Sequence, residues 1–346
     1  MFRDEPEQIL ALLRSGNVEI GGPPKVAVHA REHRVPLMHL VLGFGAIYLI
    51  WGSTYLGIRY AVESIPPFLM MGIRHVTAGV IVFLWARAKG VAWPEPKQWL
   101  WAGIAGVLLF LGGHGLLAWG EQKIPSGLAA LLCATLPLWT VMIARVDRTE
   151  RRLGPKRWAG ILLGFAGVAL LIGPDLLAQR LNLLAAGAAL ASALLWAVGT
   201  AYVRRVNLPT SKLMSAAMQM ICGGVLLLGF GGFAGERIHL HQVTALSIFS
   251  LAYLIVFGSI VAFTVYTWLV SVSSPSMLST YAYVNPAIAV LLGWAIAGEA
   301  LGIRVVLATV VIVGGVILVS SRRSQVKLVK VAKPGTFGRG FEASGD

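Results

Sequence analysis

The chain has 346 residues, of which 57% are hydrophobic and only 13% charged, whereas a soluble domain carries roughly a quarter charged residues. That balance, with a mean hydropathy of +0.75, excludes an ordinary soluble enzyme. The net charge of +14 would point to nucleic acid in a soluble protein, but here Lys and Arg gather at the ends of apolar runs, so they read as topology markers and no nucleic-acid partner is expected.

Residues 1–36 are polar and precede the first apolar run. No cleavable leader is therefore expected, and the first span serves for targeting. Within this tail Asp4 to Ser15 has the pattern of a short helix, and Gly21, Gly22, Pro23 and Pro24 form a linker after it.

Ten apolar segments follow, at 37–58, 66–86, 99–119, 126–144, 157–173, 182–203, 212–233, 246–269, 276–296 and 302–320. Each is long enough, or nearly so, to cross about 30 Å of hydrocarbon as a helix. Counting Lys and Arg in alternate connections gives 23 on one side and 5 on the other, which places both termini in the cytoplasm. A nine-span count, with 182–203 not crossing, breaks that asymmetry in the second half.

The segments divide into two sets of five that repeat each other. A shift of 145 places Trp51 on Trp196, Arg59 on Arg204, Arg74 on Gln219 and Gly79 on Gly224. A shift of 149 places Pro137 on Pro286 and Glu150 on Glu299; one residue less places Leu153, Gly154 and Gly167 on Leu301, Gly302 and Gly315. Five spans per copy is an odd number, so the copies must cross in opposite senses. The expected organisation is a tail at 1–36, one five-helix repeat at 37–173, a connection at 174–181, a second repeat at 182–320 and a basic tail at 321–346. The fold class is an all-α membrane protein with ten transmembrane helices as two inverted repeats around a central cavity.

Arg74 is the sharpest chemical signal, because it lies in the middle of PPFLMMGIRHVTAGVIVFLWA. A central Arg costs about 2.5–3.5 kcal/mol on insertion scales, and such residues face a partner or a watered path. It either lines that path or caps carbonyls of a broken neighbouring helix. His75, one residue on, reads as a neutral, hydrogen-bonded helix contact, and His114, between Gly113 and Gly115, fits a cavity or a packing role equally. Pro137 and Pro286 predict a matched pair of interrupted helices, a pointer to a central transport site and its gating. Asn285 is placed to bond a freed carbonyl or to face a solute. Trp51, Tyr55 and Trp196 are candidates for the cavity wall, and Gln219 is placed to face Arg74 across the pseudo-twofold axis. Gly160 with Gly164, and Gly103 with Gly106, predict close helix packing.

Motifs for nucleotide, zinc or redox chemistry are missing, and Cys133 and Cys222 lie singly in apolar runs, so no cofactor, metal site or enzyme activity is expected. No Asp or Glu is deep in a span, since Glu121 and Glu299 stand at span ends, and a carboxylate proton relay therefore has little support.

The stretches WGSTYLGIR, FLMMGIRHVTAG, IPSGLAALLCATLPLW and VNPAIAVLLGWAIAGEALG, over residues 40–320, resemble the EamA-type transporters of the drug/metabolite transporter superfamily, ten-helix exporters of bacterial inner membranes. The resemblance implies a central cavity lined from both halves, alternating access, and efflux of amino acids or small amphipathic metabolites. Arg74, Trp51 and Trp196 would suit that lining. The sequence departs from the pattern where the first half carries Arg145 to Arg152 with only Glu150, in place of Gly298-Glu299 in the second. The competing function is a membrane scaffold or sensor that transports nothing.

Overall fold

A computed structural model of the chain describes residues 36–146, 154–177, 182–273 and 281–320. The expected helix at Asp4 to Ser15, the Gly21 to Pro24 linker, Glu150, Leu153 and the basic C-terminal tail lie outside the described residues.

All regular structure among the described residues is helical. The helices are α1 (Leu37–Ala61), α2 (Pro67–Ala88), α3 (Pro96–Glu121), α4 (Ser126–Val146), α5 (Pro155–Leu177), α6 (Leu183–Val203) and α7 (Lys212–Phe233). They continue with α8, built from Ala245–Tyr253, Leu254–Val261 and Ala262–Val272, then α9 (Tyr281–Ala297) and α10 (Ile303–Ser320). Seven of the described helices are long and apolar enough to cross a bilayer, and two shorter apolar ones lie in α9 and α10.

The termini of these helices follow from local chemistry. Pro67 opens α2 and Pro96 opens α3, where a missing N–H costs nothing. Asn182, Ser211 and Thr244 accept from the first-turn amides of Ala185, Met214 and Ser247 and so cap α6, α7 and α8. Gly90 and Gly235 end α2 and α7 with φ of 80° and 79°, which a side chain would strain. After α2 the amides of Gly90 and Val91 bond the carbonyls of Arg87 and Ala86; after α7 those of Gly235 and Glu236 bond Gly232 and Gly231. Every one of these four positions recurs after 145 residues, so the duplicated numbering carries a duplicated helix stop.

Packing obeys the same exchange. On α2, Gly72 lies against Leu228 and Gly79 against Ile221, while Gly224 on α7 lies against Val76. Numbers rise on one helix as they fall on the other, so α2 and α7 run antiparallel. In α5 and α10, Gly167 meets Ile312 and Gly315 meets Gly164, again antiparallel. A Cβ at Gly315 would stand 2.6 Å from the Gly164 nitrogen, so these backbones are in contact with no room for a side chain. Gly106 likewise abuts Gly223 on α7, but Gly103 has nothing within 4 Å and takes no part. Around these pairs α1 packs on α8 and α9, while α6 packs on α3 and α4.

Two helices widen into π-helical turns, Val107–Gly115 in α3 and Leu254–Val261 in α8, beginning 147 residues apart. Such turns replace the usual bonding by a looser ring and are frequent at functional sites.

The expected matched proline breaks are corrected. In α4 the helix stops at Cys133 and restarts at Leu136, just ahead of Pro137. In α9 the helix runs through Pro286 without interruption. At the break the Thr135 hydroxyl donates to the Leu132 carbonyl at 2.7 Å and accepts from the Trp139 indole at 3.1 Å. The corresponding residue before Pro286 is Val284, which has no hydroxyl.

Candidate functional site

The site is assembled where α1, α2, α3, α6, α8 and α9 meet. Close packing on α7 fixes α2 through Gly72 and Gly79, and Arg74 stands between them, 4% exposed. Its Nε donates to Ser259 Oγ at 3.0 Å, in the π-helical turn of α8, and its Nη1 lies 3.8 Å from Met71 Sδ. No carboxylate within ion-pair distance of Arg74 is found among the described residues. A buried guanidinium held by a hydroxyl alone keeps most of its charge uncompensated, and such a group is costly unless it serves a polar partner.

Two aromatic groups flank it. Trp51 donates from its indole nitrogen to the Gly258 carbonyl at 3.3 Å, beside Ser259, and its ring lies 5.2 Å from Tyr266 and 5.1 Å from Tyr281. Trp196 lies against Gly113 in the π-helical turn of α3, with His114 at 4.6 Å and Phe110 at 6.2 Å between ring centres. Each tryptophan of one half thus rests on the widened turn of the other half.

His75 and His114 share an N···N hydrogen bond of 2.9 Å and stack at 12°, with Phe110 edge-on to His75. One nitrogen of such a bond must offer a lone pair, so the pair carries at most one positive charge. His114 therefore both lines the aromatic group and fastens α3 to α2.

The remaining expected residues divide. Tyr55 on α1 is half-buried and its hydroxyl faces the Cys133 thiol of α4. Asn285 is buried at the α1–α9 contact, where its backbone carbonyl approaches Gly52 and its side-chain oxygen has no partner among the described residues. The expected pairing of Gln219 with Arg74 is replaced: Gln219 Nε2 donates to Ser215 of its own helix, to both carbonyl and hydroxyl, at 3.0 Å. Pro137 and Pro286 lie along α4 and α9, outside the aromatic groups.

Several participants were not marked by the sequence. Ser259 and Gly258 are small residues within an apolar run, and Tyr266 and Tyr281 come from helices that no local pattern singles out. The carboxylates are also unexpected. Glu236 accepts from the amides of Phe68 and Leu69 at the start of α2, at 3.3 and 2.9 Å. Glu299 accepts from Ser126 N and Oγ at 2.7 Å and from Gly127 N at 2.9 Å, at the start of α4. Each carboxylate occupies the positive end of a helix in the other half. The Ser247 hydroxyl donates to the Tyr60 carbonyl, Thr244 N donates to Ser64 Oγ, and Arg59 donates to the Ile124 carbonyl. These bonds tie the connections α1–α2, α3–α4, α7–α8 and α9–α10 together on one face. A cavity of about 560 Å³ opens there between the α1–α2 and α7–α8 connections, lined by Phe68, Trp119, Gln122, Glu236 and His239 among others. Glu121, expected at a span end, is 0% exposed beneath that face.

Comparison with known proteins gives the same architecture. The chain matches the EamA-like transporter family twice, over residues 39–173 and 183–321. It is 39% identical over 277 residues to the uncharacterized inner membrane transporter YedA of Escherichia coli (strain K12), covering 80% of this chain and 88% of that protein. The uncharacterized transporter YoaV of Bacillus subtilis (strain 168) is 23% identical, over 82% of this chain and 97% of its own length. One solved crystal structure shares the fold at a TM-score of 0.58 and 23% identity, over 82% of this chain and 98% of that one.

Proposed function

Because the chain belongs to the EamA-like transporter family, we propose that it is a multi-pass transporter of the bacterial inner membrane that exports small solutes by alternating access. In this reading ten helices cross the bilayer as two inverted five-helix repeats, residues 37–173 and 182–320, with both termini in the cytoplasm. The antiparallel contacts of α2 with α7 and of α5 with α10 support inversion, and the double family match supports the division.

The observation that carries the site is Arg74, buried without a carboxylate and linked through Ser259 and through His75 and His114 to two tryptophans that each seat on a π-helical turn of the opposite half. A permanent cation there favours solutes bearing a carboxylate or another strong acceptor, and the aromatic walls favour an amphipathic body. Amino acids and small amphipathic metabolites fit this description. Gates of alternating access need surfaces that separate without tearing a core, and the face closed by Glu236 and Glu299 is made of hydrogen bonds between halves.

The test begins with a growth screen of an overexpressing strain against toxic amino-acid analogues and amphiphiles, which supplies a radiolabelled probe. Proteoliposomes holding the full chain should then show saturable flux without ATP, reduced at least tenfold by Arg74→Ala. Unchanged flux in that variant removes Arg74 from the site. A folded, stable protein that protects against nothing and moves no probe favours the scaffold.

A further inference from the structure

Resting on the transporter reading, we propose that Glu121 is a proton-binding site whose loading holds shut the face latched by Glu299.

Glu121 ends α3 and is 0% exposed, and neither carboxylate oxygen has a hydrogen-bond partner among the described residues. Its neighbours come from every side. Tyr55 and Arg59 face it from α1, Arg74 from α2, the Cys133 thiol from α4 and Glu299 from the α9–α10 connection, all within electrostatic range. On α6, Ala185 and Ala189 lie against Gly120. Lys123 turns away onto the ring of Trp119, and the His75–His114 pair lies deeper, beside Arg74. Arg59 and Arg74 keep their positive charges, but neither is ion-paired with Glu121: Arg59 donates to the Ile124 carbonyl and Arg74 to the Ser259 hydroxyl.

An ionised carboxylate without a hydrogen bond or an ion pair is among the most costly groups to bury. The same group carrying a proton is tolerable, so the closed arrangement is the proton-loaded one. The consequence passes to Glu299. With Glu121 neutral, Glu299 is free to sit on the helix start at Ser126 and Gly127, its Oε2 also filling the space over Gly293. With Glu121 ionised, two like charges share one low-dielectric pocket, and the mobile partner is the latch. Loss of the proton from Glu121 thus opens the latched face, and its return reseats Glu299 on the start of α4.

The test reads the latch directly in the full chain, purified in detergent with Cys133→Ala and Cys222→Ala. Ile124 is 0% exposed on the latched connection, and its neighbour Gln122 is exposed. The maleimide labelling rate of Ile124→Cys, divided by that of Gln122→Cys to remove the thiol's own pH dependence, reports opening. Because the closed state holds the extra proton, rising pH must drain it, by up to about tenfold per unit. The ratio should climb at least tenfold between pH 5.5 and 8.5 as a one-proton transition. Glu121→Gln should fix it at the closed value throughout, and Glu121→Asp should keep the transition with a displaced midpoint. The proposal is overturned by a flat ratio in the parent, by an unchanged transition in Glu121→Gln or an unmoved midpoint in Glu121→Asp, by loss of the transition in His114→Asn instead, or by a ratio that follows Na⁺ at fixed pH. The two readings fail separately. A pH-driven latch in a protein that moves no solute defeats the transporter reading alone, and saturable solute flux in a protein whose ratio stays flat with pH defeats the latch alone.

Discussion

The contact between α2 and α7 yields a quantitative test of the duplicated architecture. At Gly224 a Cβ would stand 2.7 Å from the Val76 nitrogen, 2.8 Å from Val76 Cγ2 and 3.1 Å from the Gly72 oxygen, where ordinary contact begins at 3.4 Å. Two of those atoms are backbone and cannot rotate away, so Gly224→Ala must part the helices by about 0.7 Å. Overpacking of that kind costs roughly 1–3 kcal/mol, offset by about 0.5–1 kcal/mol from alanine's better helix propensity. The same substitution at Gly229 meets nothing within 4 Å and gains the propensity alone. Gly224→Ala should therefore fall below Gly229→Ala by about 1–3 kcal/mol, read as several degrees in the midpoint for thermal loss of the monodisperse detergent-solubilised peak. Gly79→Ala, whose Cβ would lie 2.9 Å from the Ile221 nitrogen, should match Gly224→Ala, and the double variant should lose less than the sum because the helices have already parted. The loss reaches the site, since Arg74 travels with α2 while Ser259 stays on α8. Equal midpoints for Gly224→Ala and Gly229→Ala would refute this packing.

Ser259→Ala leaves the buried Nε of Arg74 without its 3.0 Å acceptor, so thermal stability should drop by about 1–3 kcal/mol and flux of the screened probe should fall with it. Glu236→Ala frees the Phe68 and Leu69 amides at the positive end of α2 and should cost about 1–2 kcal/mol, whereas Glu236→Gln, which keeps an oxygen acceptor, should lose about half as much by the same thermal assay. Trp51→Phe deletes the indole bond to Gly258 and should cost about 0.5–1.5 kcal/mol more than Trp196→Phe, whose indole nitrogen makes no hydrogen bond to a described residue.

The fold was legible because hydropathy sets span length and because a fused copy leaves its glycines at recurring offsets, 145 residues for Gly79 and Gly224 and 148 for Gly167 and Gly315. Gly79 with Gly224 and Gly167 with Gly315 were visible as repeats in the sequence and became helix contacts in the structure. The second span, expected at 66–86, folds as Pro67–Ala88. The chemistry was less legible. A π-helical turn has the same apolar composition as the helix around it, so neither Val107–Gly115 nor Leu254–Val261 had a signal. Pro286 looked like a break because proline usually is one, yet the helix parts only ahead of Pro137 and runs through Pro286. Glu121 was legible only as standing at a span end, because burial at a helix end depends on what the adjoining connections place over it.

The differences between the copies explain why the site has one pole. Arg74 and Gln219 hold the same place in their repeats, but Arg74 reaches across to Ser259 while Gln219 folds back onto Ser215. Carried back by the 145 residues that relate Trp51 to Trp196 and Gly258 to Gly113, Ser259 falls on His114. That side chain bonds His75 at 2.9 Å instead of reaching Gln219. Gln219 therefore bonds within its own helix and takes no partner across the site. The exchange symmetry preserved by the glycines is broken at this polar pair, and the positive charge enters the path from the first half alone.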